Sequence, residues 1–420
     1  MSQSKKEKLI AHSDEFRKEI IQITEGVWMS IGFSASNSAI IQGETGLILI
    51  DTHESTLAAE IVLAKYREID QRPIHTIILT HEHRDHISGA SVFAEGGNPA
   101  IISRPFTDGV MGAHELRDIS RKRAERQFGM GLNTEERINI GLGPSERPIR
   151  GLAEGILPST QFVTDERETH IIDGVKIEFV HAPGETPETM VVWLPEKRVL
   201  FGADNYYKSF PNLYAIRGNR YRDVQHWIDS LQRMINLNAE YLVPGHTRPL
   251  IGAGVVKATL THYRAGIKSI FDQTVAGINR GLTPRELIET VKLPPEYVDL
   301  PYMQEFYGGI AWSVRSIFEG YLGWFDGNPT NLQPLTLLNE AIKMADLAGG
   351  EEKLLAKLQE SVAGGQNQWA LTLADHLILL GYDEAKELKA RALVALAEDQ
   401  ANASARNWYI YCAKELMDDL

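Results

Sequence analysis

Short aliphatic and β-branched runs at 26–28, 38–41, 47–50 and 76–79 alternate with polar turns, and a helical stretch fills 56–69. Runs of that length bounded by turn residues predict strands, and strands interleaved with helices predict a layered α/β domain. Three further runs, at 175–180, 198–201 and 240–243, each end in a small-residue turn. Beyond residue 255 the pattern changes to three- and four-residue steps: Leu354, Leu358 and Val362; Leu371, Ala374 and Leu377; Leu388, Ala392, Leu393 and Leu396. Gly349-Gly350, Gly364-Gly365 and Gly381-Tyr382-Asp383 interrupt them. This spacing predicts antiparallel helical hairpins, loosely like tetratricopeptide repeats but too irregular for an array. The chain therefore divides into an α/β part over 1–255 and an all-α part over 256–420. Between 106 and 150 the strand pattern lapses into a charged helix and a Gly-rich segment, which reads equally as a wall or lid of a pocket and as a solvated loop.

Chemistry concentrates at the ends of the predicted strands. The run at 76–79 leads into Thr80-His81-Glu82-His83-Arg84-Asp85-His86, three imidazoles and a carboxylate within six residues. Imidazole nitrogen and carboxylate oxygen are the donors that hydrolytic zinc sites use, so this loop reads as a metal site for two ions. Two ions need more ligands than one loop supplies, and each later strand offers one. The first leads into His181-Ala182-Pro183-Gly184-Glu185-Thr186-Pro187, the second into Gly202-Ala203-Asp204-Asn205, and the third into Pro244-Gly245-His246-Thr247. His181 lies on its strand and reads as structural rather than as a ligand. Asp51, at the end of the run at 47–50, reads equally as a residue that orients a ligand histidine and as a turn or cap contact. His53, Glu54, Tyr206, Tyr207 and Lys208 are candidates to line the cleft.

This order of motifs resembles the metallo-β-lactamase superfamily over roughly the first 250 residues. Three features resemble its alkyl sulfatases in particular. Glu185, followed by Thr186-Pro187, stands where most of the superfamily has His. Asn212-Leu213-Tyr214-Ala215-Ile216-Arg217-Gly218 is similar to the alkyl sulfatases' Asn-Leu-Tyr-x-x-Arg-Gly segment. Gly320-Tyr321-Leu322-Gly323-Trp324-Phe325-Asp326-Gly327-Asn328-Pro329 is similar to their helical dimerisation region. The resemblance implies an αββα sandwich followed by an all-α dimerisation domain, and hydrolysis of an alkyl sulfate ester to sulfate and an alcohol. It implies two Zn²⁺ per chain, one on His81, His83 and Glu185 and one on Asp85, His86 and His246, with Asp204 bridging. The candidate catalytic residues are Asp85, Asp204 and Arg217. Arg217 would grip the sulfate as a bidentate fork, with Asn212 and Tyr214 as further substrate contacts. Two divalent ions against three carboxylates and a hydroxide leave the centre near neutral, so it should lean on Arg217 to hold a singly charged ester. The chain departs from the alkyl sulfatases at Asp204, where they usually have Glu, at the surroundings of His246, and at Pro211 and Gly308, where histidines are expected. It also ends without their sterol-carrier-like domain, so the expected substrates are short or medium alkyl sulfates. Phosphoric esters, lactones or thioesters on the same centre are the alternative substrates, and a dimeric binding protein without catalysis is the alternative class.

Composition narrows the setting. A net charge of -13 disfavours nucleic acid and anionic membrane surfaces. No glycine pattern follows a strand and opens a helix, so no nucleotide site is expected. Cys412 is the one cysteine, which precludes an intramolecular disulfide and reads as a buried thiol. No run is long and apolar enough to span a membrane, and the N-terminus has no apolar leader, so a cytoplasmic location is expected; the resemblance implies a homodimer acting on a small anionic ester.

Overall fold

A computed structural model describes residues 3–106 and 116–417. The first sheet contains β1 (Glu19–Thr24), β2 (Val27–Ile31), β3 (Ser38–Gln42), β4 (Leu47–Ile50), β5 (Ile74–Ile78), β6 (Ala100–Ser103) and β7 (Gln161–Phe162), in that spatial order. The second contains β8 (Arg167–Ile172), β9 (Val175–His181), β10 (Met190–Leu194), β11 (Val199–Phe201), β12 (Tyr241–Val243) and β13 (Leu250–Ile251), also side by side in chain order. The helices of this part are α1 (Lys5–His12), α2 (Thr56–Ile69), α3 (Arg84–Ile87), α4 (Ala90–Phe93), α5 (Arg117–Phe128), α6 (Thr134–Arg137) and α7 (Val224–Asn236).

Strand alternation explains the layering. Ile48, Ile50 and Ile78 of the first sheet meet Ile177, Phe179, Met190 and Val192 of the second in a core between the sheets. Their neighbours Leu47, Leu49 and Ile77 point outward, against Ala59, Val62 and Tyr66 of α2. Val180, Val191 and Trp193 do the same on the far side, against Trp227 and Leu231 of α7. Strands buried on both faces read as continuous apolar runs, which is the pattern the sequence shows. The result is the expected αββα sandwich.

Past the sandwich the chain is helical: α8 (Ala253–Asn279), α9 (Pro284–Thr290), α10 (Pro295–Val298), α11 (Ile310–Leu322), α12 (Leu337–Ala348), α13 (Glu351–Ala363), α14 (Asn367–Leu379), α15 (Glu384–Glu398) and α16 (Ala403–Leu416). The Gly-marked breaks coincide with the ends of α12, α13 and α14. Residue 255 falls inside α8, whose Leu260, Tyr263 and Ile267 share the outer core with Val314 and Ile317 of α11 and with Trp227. Helices α13, α14 and α15 form a separate core around Leu358, Ala374, Leu377 and Ala392. Among the described residues no helix is long and apolar enough to cross a membrane.

Part of the segment at 106–150 lies outside the described residues. Its described portion, α5 and α6, packs against α16 and forms a wall beside the cleft rather than a solvated loop.

Candidate metal centre

β4 and β5 run parallel, as do β11 and β12, and the loops that leave the C-terminal ends of these strands meet at one edge of the sandwich. They bring Asp51, the 81–86 loop, Asp204 and His246 together, and the β9–β10 turn adds Glu185. Gly245 is required by this crowding, because a Cβ there would lie 2.2 Å from Asp204 Oδ1 and 2.9 Å from His86 Cε1.

Two donor sets result, each with its atoms within 4.8 Å of one another: His81, His83 and Asp204, and Asp85, His86 and His246. In the first, His81 Nε2 is 3.0 Å from His83 Nδ1 and 3.6 Å from Asp204 Oδ2. Glu185 Oε2 is 3.5 Å from His83 Nδ1, on the rim of that set. In the second, Asp85 Oδ2 is 3.6 Å from His86 Nε2 and 3.5 Å from His246 Nε2. Asp204 stands between the sets, its Oδ1 3.4 Å from His86 Nε2 and its Oδ2 3.1 Å from His246 Nε2.

The chemistry of these donors fits divalent cations. His83 Nε2, His86 Nε2 and Asp204 Oδ1 are buried without a hydrogen-bond partner, which buried polar atoms rarely tolerate. In His86, His246 and His81 the Nδ1 is fixed by the protein: His86 Nδ1 lies 2.8 Å from Asp51 Oδ2, His246 Nδ1 2.8 Å from the Ala35 carbonyl, and His81 Nδ1 3.0 Å from Thr80 Oγ1. Asp51 also accepts from the Thr80 amide and hydroxyl, both at 2.8 Å. Asp51 thus touches a candidate ligand histidine and braces the loop that carries it. Glu54, paired with buried Arg147 at 2.8 Å, accepts from the Ala35 amide at 2.9 Å and so fixes the carbonyl that faces His246.

The electrostatics point the same way. Burial, reinforced by His86, lowers His81 to about 4, and burial with His81 and Arg222 takes His83 well below its ordinary value. Both are therefore neutral donors at physiological pH. His86 and His246 move up although burial opposes it, because Asp204 and Asp85 surround them. Their folded values exceed the unfolded ones, so this contribution is present at pH below the ordinary 6.5 and lost as pH rises through the raised values. A cation competes with those protons. Metal uptake by stripped protein near neutral pH is expected to release protons, and apparent affinity to fall as pH is lowered. Calorimetry in buffers of differing protonation enthalpy checks this, and buffer-independent heats would contradict it.

Beside the donor sets stand two arginines, Arg217 and Arg222, whose charges help to lower His83. The Arg217 guanidinium is 3.4 Å from the Tyr307 hydroxyl and stacks over Phe128 at 5.5 Å. The Arg217 amide donates to Gln127 Oε1 at 2.9 Å, and Gln127 Nε2 donates to Tyr307 at 3.2 Å. Asn212 is buried with its Nδ2 unpartnered, and Tyr214 is half-buried on the same segment.

Arg222 was not singled out by the sequence reading. Its Nη1 sits 2.9 Å from Glu185 Oε2 and 2.5 Å from the Asn212 carbonyl, while its Nε and Nη2 are buried and unpartnered. Tyr207 donates to Glu185 Oε1 at 2.9 Å. The charge count needs correction accordingly: Arg222 restores the positive charge that Glu185 removes, so Arg217 is not the sole cation facing an anion. Nothing in the spacing of Tyr221-Arg222-Asp223 marks it, because its role depends on a loop folding back.

Other candidates fall outside the donor sets. His181 pairs with Glu166 and the Pro187 carbonyl. His53 contacts Ser30 and the Ser36 carbonyl, Tyr206 packs on Tyr263, and Lys208 pairs with Glu15. Pro211 and Gly308, the two positions where histidines are expected, touch each other: a Cβ at 308 would lie 2.0 Å from the Pro211 carbonyl oxygen. The two departures are thus neighbours in the fold.

Comparison with known proteins extends this geometry. Residues 31–246 match the metallo-beta-lactamase superfamily and residues 283–419 match alkyl sulfatase dimerisation. A linear primary-alkylsulfatase of Pseudomonas sp. is 37% identical over 390 residues, spanning 90% of this chain and 73% of its own length. The alkyl/aryl-sulfatase BDS1 of Saccharomyces cerevisiae is 31% identical over 411 residues, 94% of this chain and 64% of its own. The solved structure of the stereoselective inverting sec-alkylsulfatase Pisa1 from Pseudomonas sp. superposes with a TM-score of 0.87 at 25% identity, covering 96% of this chain and 66% of that one.

Proposed function

Because the chain belongs to the alkyl sulfatase family of the metallo-β-lactamase superfamily, we propose that it hydrolyses organic sulfate esters at a binuclear zinc centre, releasing sulfate and an alcohol. His81, His83 and Glu185 would hold one ion, Asp85, His86 and His246 the other, and Asp204 would contact both. Bound zinc would supply Lewis acidity at neutral pH. The observation that supports the reading is the pair Arg217 and Arg222 beside the donor sets. There Arg217 offers a planar fork matched to a tetrahedral oxyanion, Tyr307 and Asn212 Nδ2 offer further donors, and Arg222 compensates Glu185. Asp51, Thr80 and the Ala35 carbonyl hold the imidazoles in the tautomers that leave the inward nitrogens free.

Arg222 also favours a second reading, a phosphoric ester, since the added charge suits a dianion. A panel of alkyl sulfates and alkyl phosphates of equal chain length separates the two. Preferential release of sulfate supports the proposal, and turnover confined to phosphates, lactones or thioesters would sink it.

We also propose a cytoplasmic homodimer. Tyr321, Leu322, Trp324, Leu337 and Leu347 are exposed within the stretch that matches the dimerisation family, Trp324 at 71% and Leu347 at 84%. Clustered large apolar residues at a surface mark an interface, and a two-fold pairing of one such patch with itself covers it. Light scattering at micromolar protein is expected to give about twice 47.0 kDa. A strictly monomeric species at that concentration would refute the dimer.

A further inference from the structure

Helix α5 carries little apolar burial of its own. Among its described residues only Gln127 is buried, so polar and stacking contacts must hold it in place. Those contacts reach in two directions. Toward the cleft, Arg123 donates from Nε to the Arg217 carbonyl at 2.7 Å and from Nη2 to the Ile216 carbonyl at 2.6 Å. Gln127, four residues on and so on the same helical face, accepts the Arg217 amide at 2.9 Å. Both main-chain polar groups of Arg217 are therefore fixed by one helix, ahead of the turn at Gly218, whose φ is 105°. Toward the C-terminus, the Arg123 guanidinium stacks over the Trp408 ring of α16 at 5.1 Å. Asn407 Nδ2 donates to the Gln127 carbonyl at 3.2 Å, and Arg126 pairs with Glu415 at 2.7 Å.

We propose that Arg123, braced by Trp408, is a positioning residue that aims Arg217 at the charged head of the ester, so that the C-terminal helix of the dimerisation region sets how tightly the site holds its anion. The inference rests on Arg217 being the sulfate-binding residue. It gives a role to α5, which serves as a strut between the two parts of the chain. A bidentate guanidinium gripping two successive carbonyls is geometrically specific, and neither a lysine nor an apolar side chain reproduces it.

The test compares Arg123→Met, Arg123→Lys and Trp408→Leu with the parent, all as full chains. Zinc content, thermal stability, KM and kcat for a medium-chain alkyl sulfate, and inhibition by inorganic sulfate are measured for each. Arg123→Met and Trp408→Leu are expected to raise KM and the sulfate inhibition constant by about ten- to a hundredfold, the usual consequence of a misplaced binding group. Zinc content should stay at the parental level and kcat should fall less than KM rises. Arg123→Lys should lie between parent and Arg123→Met. A role in stability alone would lower the melting temperature and leave sulfate inhibition untouched, and that result overturns the inference. If Arg123→Met fails to fold, Trp408→Leu and Arg123→Lys decide by the same readouts. A parent that neither cleaves sulfate esters nor binds sulfate overturns the functional reading instead, which is distinguishable from a sulfate-binding parent whose variants match it.

Discussion

His246→Ala is expected to reduce zinc from about two ions per chain to about one and to lower turnover by about three decades, more than the 10–100-fold typical of changes behind the ligands. The residue contributes Nε2 to a set completed by Asp85 and His86, and the same nitrogen lies 3.1 Å from Asp204, which also borders the other set. Removing it therefore strips one donor from its own set and leaves the carboxylates of Asp85 and Asp204 less compensated. His83→Ala should act in the same way on the other set. Both variants should fold, because the sandwich core lies between and outside the sheets rather than in these loops. Metal analysis of the purified variants checks the prediction, and two tightly held ions in His246→Ala would contradict it.

Arg217→Lys should retain its zinc and lose about two to three decades in kcat/KM for sulfate esters. The substitution keeps the charge and removes the fork, and losing one charge-assisted transition-state contact commonly costs roughly 2–4 kcal/mol. Lysine also forfeits the stacking over Phe128 and the contact with Tyr307. Arg222 remains beside Glu185, so the loss should be deep but incomplete. Steady-state kinetics with parallel metal analysis decides it, and parental kcat/KM would show that the fork does not hold the ester.

How much of this was legible in the sequence varies with the range of the interaction. Strand-terminal donors could be read because each lies within a few residues of an apolar run, and the predicted helix over 56–69 coincides with α2 because its pattern is local. The helical breaks at Gly349, Gly364 and Gly381 were readable for the same reason. What escaped were partners joined only by the fold. Arg222 meets Glu185 from 37 positions further along the chain, Arg147 meets Glu54 from the segment beside the cleft, and Gln127 reaches Arg217 and Tyr307 from a helix with no apolar face. Strand β10 and helix α7 also passed unremarked, although α7 supplies Trp227 to the outer core. A charge count over motif residues omits any cation that a loop returns to the site, as Arg222 is returned beside Glu185. Asp51 shows the converse: its place at the end of β4 is local and legible, while its contacts with His86 and Thr80 depend on the fold.

Whether a zinc-loaded chain cleaves sulfate esters is decided by the release of inorganic sulfate from a medium-chain alkyl sulfate by chelator-stripped and zinc-restored protein. No release is expected from the stripped chain, and full recovery as zinc approaches about two per chain, as binuclear hydrolases require. Sulfate release that persists without metal, or a restored chain that leaves every alkyl sulfate intact while cleaving phosphate esters, would contradict it.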